Sequence, residues 1–86
     1  MSSDDKSQQY HLSDKAIDKL YAEIGKRITA TRKKQGISQE ALATRSDIDR
    51  SHMGFIEQGR RKPTIATLYK ITRALKINLA DLFKGL

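Results

Sequence analysis

Residues 38–59 read SQEALATRSDIDRSHMGFIEQG. Ser38 and Asp49 are short polar side chains of the kind that accept from the free N–H groups of a first helical turn, so each opens a helix. Glu40 adds favourable charge to the first turn that Ser38 opens. This helix runs from Gln39 to about Arg45, and Ala41, Leu42 and Ala43 allow close packing. Ser46, Asp47 and Ile48 form a turn. The helix capped by Asp49 runs over 50–58, with Met53 and Ile56 as a narrow apolar side, and Gly59 stops it.

Outward from this pair, the apolar spacing stays helical. Upstream, Ile17, Leu20, Ile24 and Ile28 step by three and four. Ser13 is placed to cap that helix, with Leu12 and Ile17 as a hydrophobic staple across its first turn. Arg32, Lys33 and Lys34 lie against its negative pole, and Gly36 follows. Gly25 lies inside it at a cost of about 1 kcal/mol relative to Ala, a candidate break. Downstream, Pro63 marks a boundary. Thr64 caps a helix striped by Ile65, Leu68, Ile71 and Leu75. Asn78, with Asp81 three residues on, caps a last one carrying Leu79, Leu82, Phe83 and Leu86. The expected fold is all-α, five helices joined by short turns. The two central helices are too short to stand alone, so the long stripes must place them.

The chain has 86 residues, enough for one small core, and no cysteine. That excludes a disulfide framework and a Cys-based zinc site. Residues 1–12 lack an apolar period and read as a disordered tail before a single domain at 13–86. No apolar run approaches the roughly 20 residues of a membrane span, and the polar start is no signal peptide. A cytoplasmic protein is expected. The net charge is +7, unevenly spread. Residues 1–18 hold two bases and four acids, residues 19–86 fifteen bases and six acids. A polyanion would relieve the self-repulsion of the second part. Catalysis is poorly supplied. His11 and His52 show no metal-ligand spacing, Ser51 and His52 diverge on one helix, and no glycine-rich phosphate loop occurs. No enzyme, cofactor, metal or small-molecule ligand is expected.

Two short helices across a tight turn, the second polar and headed by Arg50, Ser51 and His52, have the organisation of a helix-turn-helix. Its second helix enters the major groove by the N-terminal end. Free N–H groups and a positive pole there suit phosphate, and an arginine can pair bidentately with guanine.

On these residues, positions 24–83 closely resemble the Xre/Cro-type regulators of bacteria and phages. The resemblance rests on Arg32, the run from Ile37 to Ala43, Asp49-Arg50-Ser51, the run from Ile56 to Gly59, and Pro63-Thr64. The stretch from Ser46 to Ser51 is also similar to restriction–modification controller proteins, which are single-domain homodimers. The resemblance implies that Arg50, Ser51 and Phe55 face base edges, with His52 placed for a base or a phosphate. It implies phosphate contacts for Gln39, Arg60, Arg61 and Lys62, Gln39 also bracing the recognition helix. It implies a structural ion pair between Arg32 and Glu57. Two departures stand out. Asp47 occupies a turn position where the family often has Gly, and tolerates the left-handed conformation at some cost. Gly54 sits within the recognition helix, and either admits DNA closely or leaves the helix to order on binding. Phe55 cannot hydrogen-bond a base, so a thymine methyl is its matching partner.

Leu75, Ile77, Leu79, Leu82, Phe83 and Leu86 exceed what one small core needs, and predict an isologous dimer interface. Two recognition helices would then sit about 34–36 Å apart on a pseudo-palindrome. The expected function is a homodimeric, sequence-specific regulator on double-stranded DNA, blocking or contacting RNA polymerase, and of the controller type an autoregulator. The alternatives are an antitoxin that grips a toxin-like protein, with the acidic residues 1–18 folding on a basic partner, and a non-specific nucleic-acid coater.

Overall fold

The computed structural model describes residues 14–86. The expected tail at 1–12, His11, the cap at Ser13 and the staple from Leu12 lie outside the described residues. Helix α1 spans Asp14–Lys34, α2 Gln39–Ser46, α3 Arg50–Glu57, α4 Ile65–Leu75 and α5 Leu79–Phe83. No strand occurs among the described residues.

The starts follow from the caps. Ser38 Oγ accepts from Ala41 N at 3.0 Å, and Asp49 Oδ2 accepts from Ser51 N and His52 N at 3.1 and 3.3 Å. Thr64 Oγ1 accepts from Thr67 N at 3.1 Å, and Asn78 N donates to Asp81 Oδ2 at 3.0 Å. Left-handed residues end α2 and α4. Asp47 has φ 56° and Lys76 φ 60°, and the amides after them, Ile48 N and Ile77 N, reach back to Ala43 O and Thr72 O. Each closure satisfies carbonyls the helix leaves free.

Ile24 and Ile28 of α1, Leu42 and Ala43 of α2, Met53 and Ile56 of α3, Leu68, Ile71 and Leu75 of α4, and Leu82 of α5 form one core. Two long side chains close helix ends across it. Arg27 Nη1 donates to Leu82 O at 3.0 Å and also to Lys84 O, while Gln35 Nε2 donates to Leu75 O at 2.6 Å. These caps come from residues more than thirty positions away, where no local pattern announces them.

The structure corrects the sequence reading in several places. Helix α2 includes Ser46, and α3 ends at Glu57 with Gln58 as its C-cap. The α1 stripe is only half covered, since Leu20 stays 39% exposed and Ile17 half-buried while Ile24 and Ile28 are core. Helix α1 does not break at Gly25. A Cβ there would lie 2.5 Å from Glu57 O and 2.6 Å from Ile56 O. The missing side chain lets α1 meet the end of α3 backbone to backbone, and the hydrogen-bond ladder stays whole. Leu75 and Leu82 are 0% and 1% exposed. They cannot serve a dimer interface, because their apolar surface is spent inside the monomer.

Candidate nucleic-acid interface

Helix α3 is polar on the side away from Met53 and Ile56. Arg50 and Ser51 are exposed in its first turn, and His52 is half-buried. Asp49, the N-cap, already occupies the N-terminal amides of Ser51 and His52. Arg50, Ser51, Gly54, Phe55 and Gln58 share a shallow concavity of 330 Å³ with Gln39 from the start of α2. One surface thus joins the first turn of each helix. Gln58 completes it, and sequence reasoning used that residue only as part of a motif.

Gly54 lies against Gln39. A Cβ on it would sit 3.3 Å from Gln39 Oε1, so this space belongs to a side chain of the protein itself. Helix α3 is formed through Gly54. Phe55 is half-buried, and cations cover its ring. The Arg61 guanidinium stands 4.5 Å from the ring centroid and that of Arg60 5.5 Å. The ring therefore orders two bases of the loop, an interaction of about 0.5–1 kcal/mol where exposed. Arg60, Arg61 and Lys62 are all exposed. Lys62 Nζ lies 3.5 Å from Asp18 Oδ1, a solvated pair at the α1 surface.

What holds α3 in place is Glu57. It is buried, and its carboxylate receives a fork from Arg32, Nε to Oε2 at 2.9 Å and Nη2 to Oε1 at 3.0 Å. Gln39 Nε2 donates to Oε1 at 3.1 Å. Thr29 Oγ1 lies 2.9 Å from both Glu57 Oε1 and Gly25 O, so its single proton serves one at a time. Arg32 Nη1 continues to Ile37 O at 3.0 Å. Burial alone would push the Glu57 carboxyl up. The hydrogen bonds from Arg32, Gln39 and Thr29 and the charge of Arg32 together outweigh it and hold the carboxyl below its ordinary value. Glu57 thus ties α1, the α1–α2 link, the start of α2 and the end of α3 to one point. Gln39 sits both in this network and on the surface concavity. Thr29 is the member that sequence reasoning missed, because one threonine on a helix carries no signal by itself.

Among the described residues no group of three or more His, Asp or Glu gathers as a metal site. No described helix is long and apolar enough to cross a membrane.

Comparisons with known proteins agree with this geometry. The helix-turn-helix family model matches residues 28–82. The control protein C.MunI of a Mycoplasma species is 36% identical over 64 residues, covering 73% of this chain and 86% of that protein. The crystal structure of the restriction–modification controller protein C.AhdI from Aeromonas hydrophila superposes with a TM-score of 0.72 at 36% identity. It covers 73% of this chain and 96% of that one. The controller protein C.Esp1396I, solved as a tetramer with its natural 35-base-pair operator, gives a TM-score of 0.71 at 31% identity, covering 76% and 86%.

Proposed function

The chain belongs to the Xre-type helix-turn-helix family of DNA-binding transcription regulators, and from that premise we propose that it acts as a homodimer on a pseudo-palindromic operator, as an autoregulating controller of a restriction–modification operon. The observation that carries this reading is the pairing of two unlike surfaces around α3. Arg50 and Ser51 are exposed at its N-terminal end, while Arg60, Arg61 and Lys62 are exposed just after its C-terminal end. The first set suits base edges in a major groove, and the second suits phosphates, which fix register without reading sequence. Gln39, which lines the same concavity at the start of α2, would add a phosphate contact in this reading. The controller proteins similar to this chain include one solved on its operator, which supports the choice of ligand.

The test is selection from a random duplex pool at about 0.15 M salt, then binding by variants to the recovered site. Arg50→Ala is expected to lose about 1–3 kcal/mol of discrimination at one base pair of each half-site. Arg61→Ala is expected to weaken all sequences alike and to lower the salt slope by about one phosphate. Equal losses on selected and random DNA for Arg50→Ala would refute base reading by this residue.

The dimer surface needs revision once Leu75 and Leu82 are withdrawn. Ile77, Leu79 and Phe83 are half-buried and Leu86 exposed, and of these Phe83 and Leu86 border a groove of 410 Å³ with Leu20, Ile65 and the half-buried Tyr21. Ile65 is 61% and Leu86 46% exposed. Large apolar side chains left open beside one another mark a contact surface. Ile65→Asp with Leu86→Asp is expected to give a monomer by sedimentation with an unchanged circular dichroism spectrum. A dimer that survives both changes places the interface elsewhere.

A further inference from the structure

A second concavity, of 410 Å³, opens between the C-terminal end of α2 and the outer side of α4. It is bordered by Arg45, Ser46, Asp47, Tyr69, Lys70 and Arg73. It shares no residue with the concavity that holds Arg50 and Ser51. Arg45, Lys70 and Arg73 are exposed, and none of them forms an ion pair among the described residues. The Arg73 guanidinium stands 5.9 Å from the ring centroid of Tyr69, a residue that is 51% exposed. Ser46 is 2% exposed, and its Oγ has no hydrogen-bond partner among the described residues. Along the sequence Arg45 lies far from Lys70 and Arg73. The fold instead gathers them from two helices around one depression that also holds an aromatic ring.

Three like charges around a depression repel, and an acidic ligand relieves that repulsion while gaining from all three. The exposed ring adds apolar surface that carboxylates alone would not use. A duplex is the poorer match. The depression lies apart from the concavity of Arg50 and Ser51 that the duplex reading uses, and the exposed Tyr69 suits an apolar side chain rather than a phosphate backbone. We propose that this concavity docks an acidic segment of a second protein, one carrying carboxylates around an apolar residue. The proposal rests on the DNA-binding reading only in placing that partner beside this chain on DNA, and the docking itself does not depend on it.

The experiment measures anisotropy of a short fluorescein-labelled peptide of Glu, Asp and Leu, added to the full chain without DNA at about 0.1 M salt. The triple variant Arg45→Ala/Lys70→Ala/Arg73→Ala is expected to bind it about tenfold more weakly. A control that removes equal charge from α1, Lys19→Ala/Lys26→Ala/Lys34→Ala, is expected to lose less than about threefold. Equal loss in both variants would mean generic attraction to a basic protein and would overturn the proposal. So would peptide binding that falls with Arg60→Ala/Arg61→Ala but not with the triple variant, because the peptide would then be a phosphate mimic. Binding of the selected duplex is read in parallel. If the triple variant loses duplex affinity and keeps the peptide, the surface is a DNA contact. If the unaltered chain binds no duplex yet the peptide result holds, the regulator reading fails and the docking surface stands.

Discussion

Arg32→Met is expected to destabilise the domain by about 3–5 kcal/mol at neutral pH, because it strands a buried carboxylate. Arg32 supplies two of the hydrogen bonds on Glu57 and the only cation paired with it among the described residues. Gln39 and Thr29 remain, but neither carries charge. For a domain of this size the Tm should fall by more than about 12 °C. The deficit should depend on pH in a defined direction. In the unaltered protein the carboxyl is held below its ordinary value of 4.5. It therefore contributes stability above that value, and loses it as pH falls through the lower folded value. In the variant, burial without the arginine pushes the carboxyl up, so the penalty is greatest when it is ionised. The gap between variant and parent should narrow as pH drops below the ordinary carboxylate range. Denaturant melts across that range read both the size and the trend. A deficit under about 1 kcal/mol at neutral pH would mean the pair is solvated rather than structural. The double variant Arg32→Met/Glu57→Met should recover much of the loss, since no charge is then left buried.

Gly25→Val should cost about 3 kcal/mol, the upper range for side chains forced into packed interiors. The intrinsic helix preference runs the other way for Gly25→Ala, worth about 1 kcal/mol in favour of Ala. The clash decides the sign. The new Cβ would meet two carbonyl oxygens of the α3 terminus at 2.5 and 2.6 Å, and backbone cannot swing aside as a flexible side chain does. Helix α1 must move off α3, which also pulls on the Glu57 network, since Thr29 lies one turn along. The expected signature combines a lower Tm with weaker selected-site binding, because the recognition helix loses its backstop. Gly25→Ala should show the same pattern at smaller size. If Gly25→Ala raises the Tm, the helix preference outweighs the contact and the close approach is softer than these distances require.

Gly59 shows the same device with backbone conformation added. Its φ is +75°, and a Cβ there would lie 2.7 Å from Ala22 Cα. The sequence marks it as a helix stop, which is correct. Its second duty is invisible there. By meeting α1 at Ala22 it brings Arg60, Arg61 and Lys62 beside Asp18.

Caps and stops were legible from single positions. Ser38, Asp49 and Thr64 each open a helix by accepting from amides two or three residues ahead, and at Asn78 the Asp81 carboxylate reaches back to accept from the backbone N–H. Asp47 takes the left-handed turn expected of it. Lys76 takes the same conformation with no such signal, because the closing bonds after α4 outweigh the side chain's preference. The apolar steps identified five helices and most of the core.

What the sequence determined by itself is therefore local: which residues start and end helices, which face of each is apolar, and that the exposed turn of Arg50 and Ser51 heads a polar helix. Periodicity and capping operate within one or two turns, so they can be read along the chain. Tertiary structure alone decided which apolar residues were spent inside, and withdrew Leu75 and Leu82 from any interface. It also decided that Gly25 is a contact rather than a break, that Gly54 makes room for Gln39, and that Phe55 lies under two arginines. Each of these is a competition between neighbours distant in sequence, settled by close packing and by the cost of leaving a buried charge unpaired.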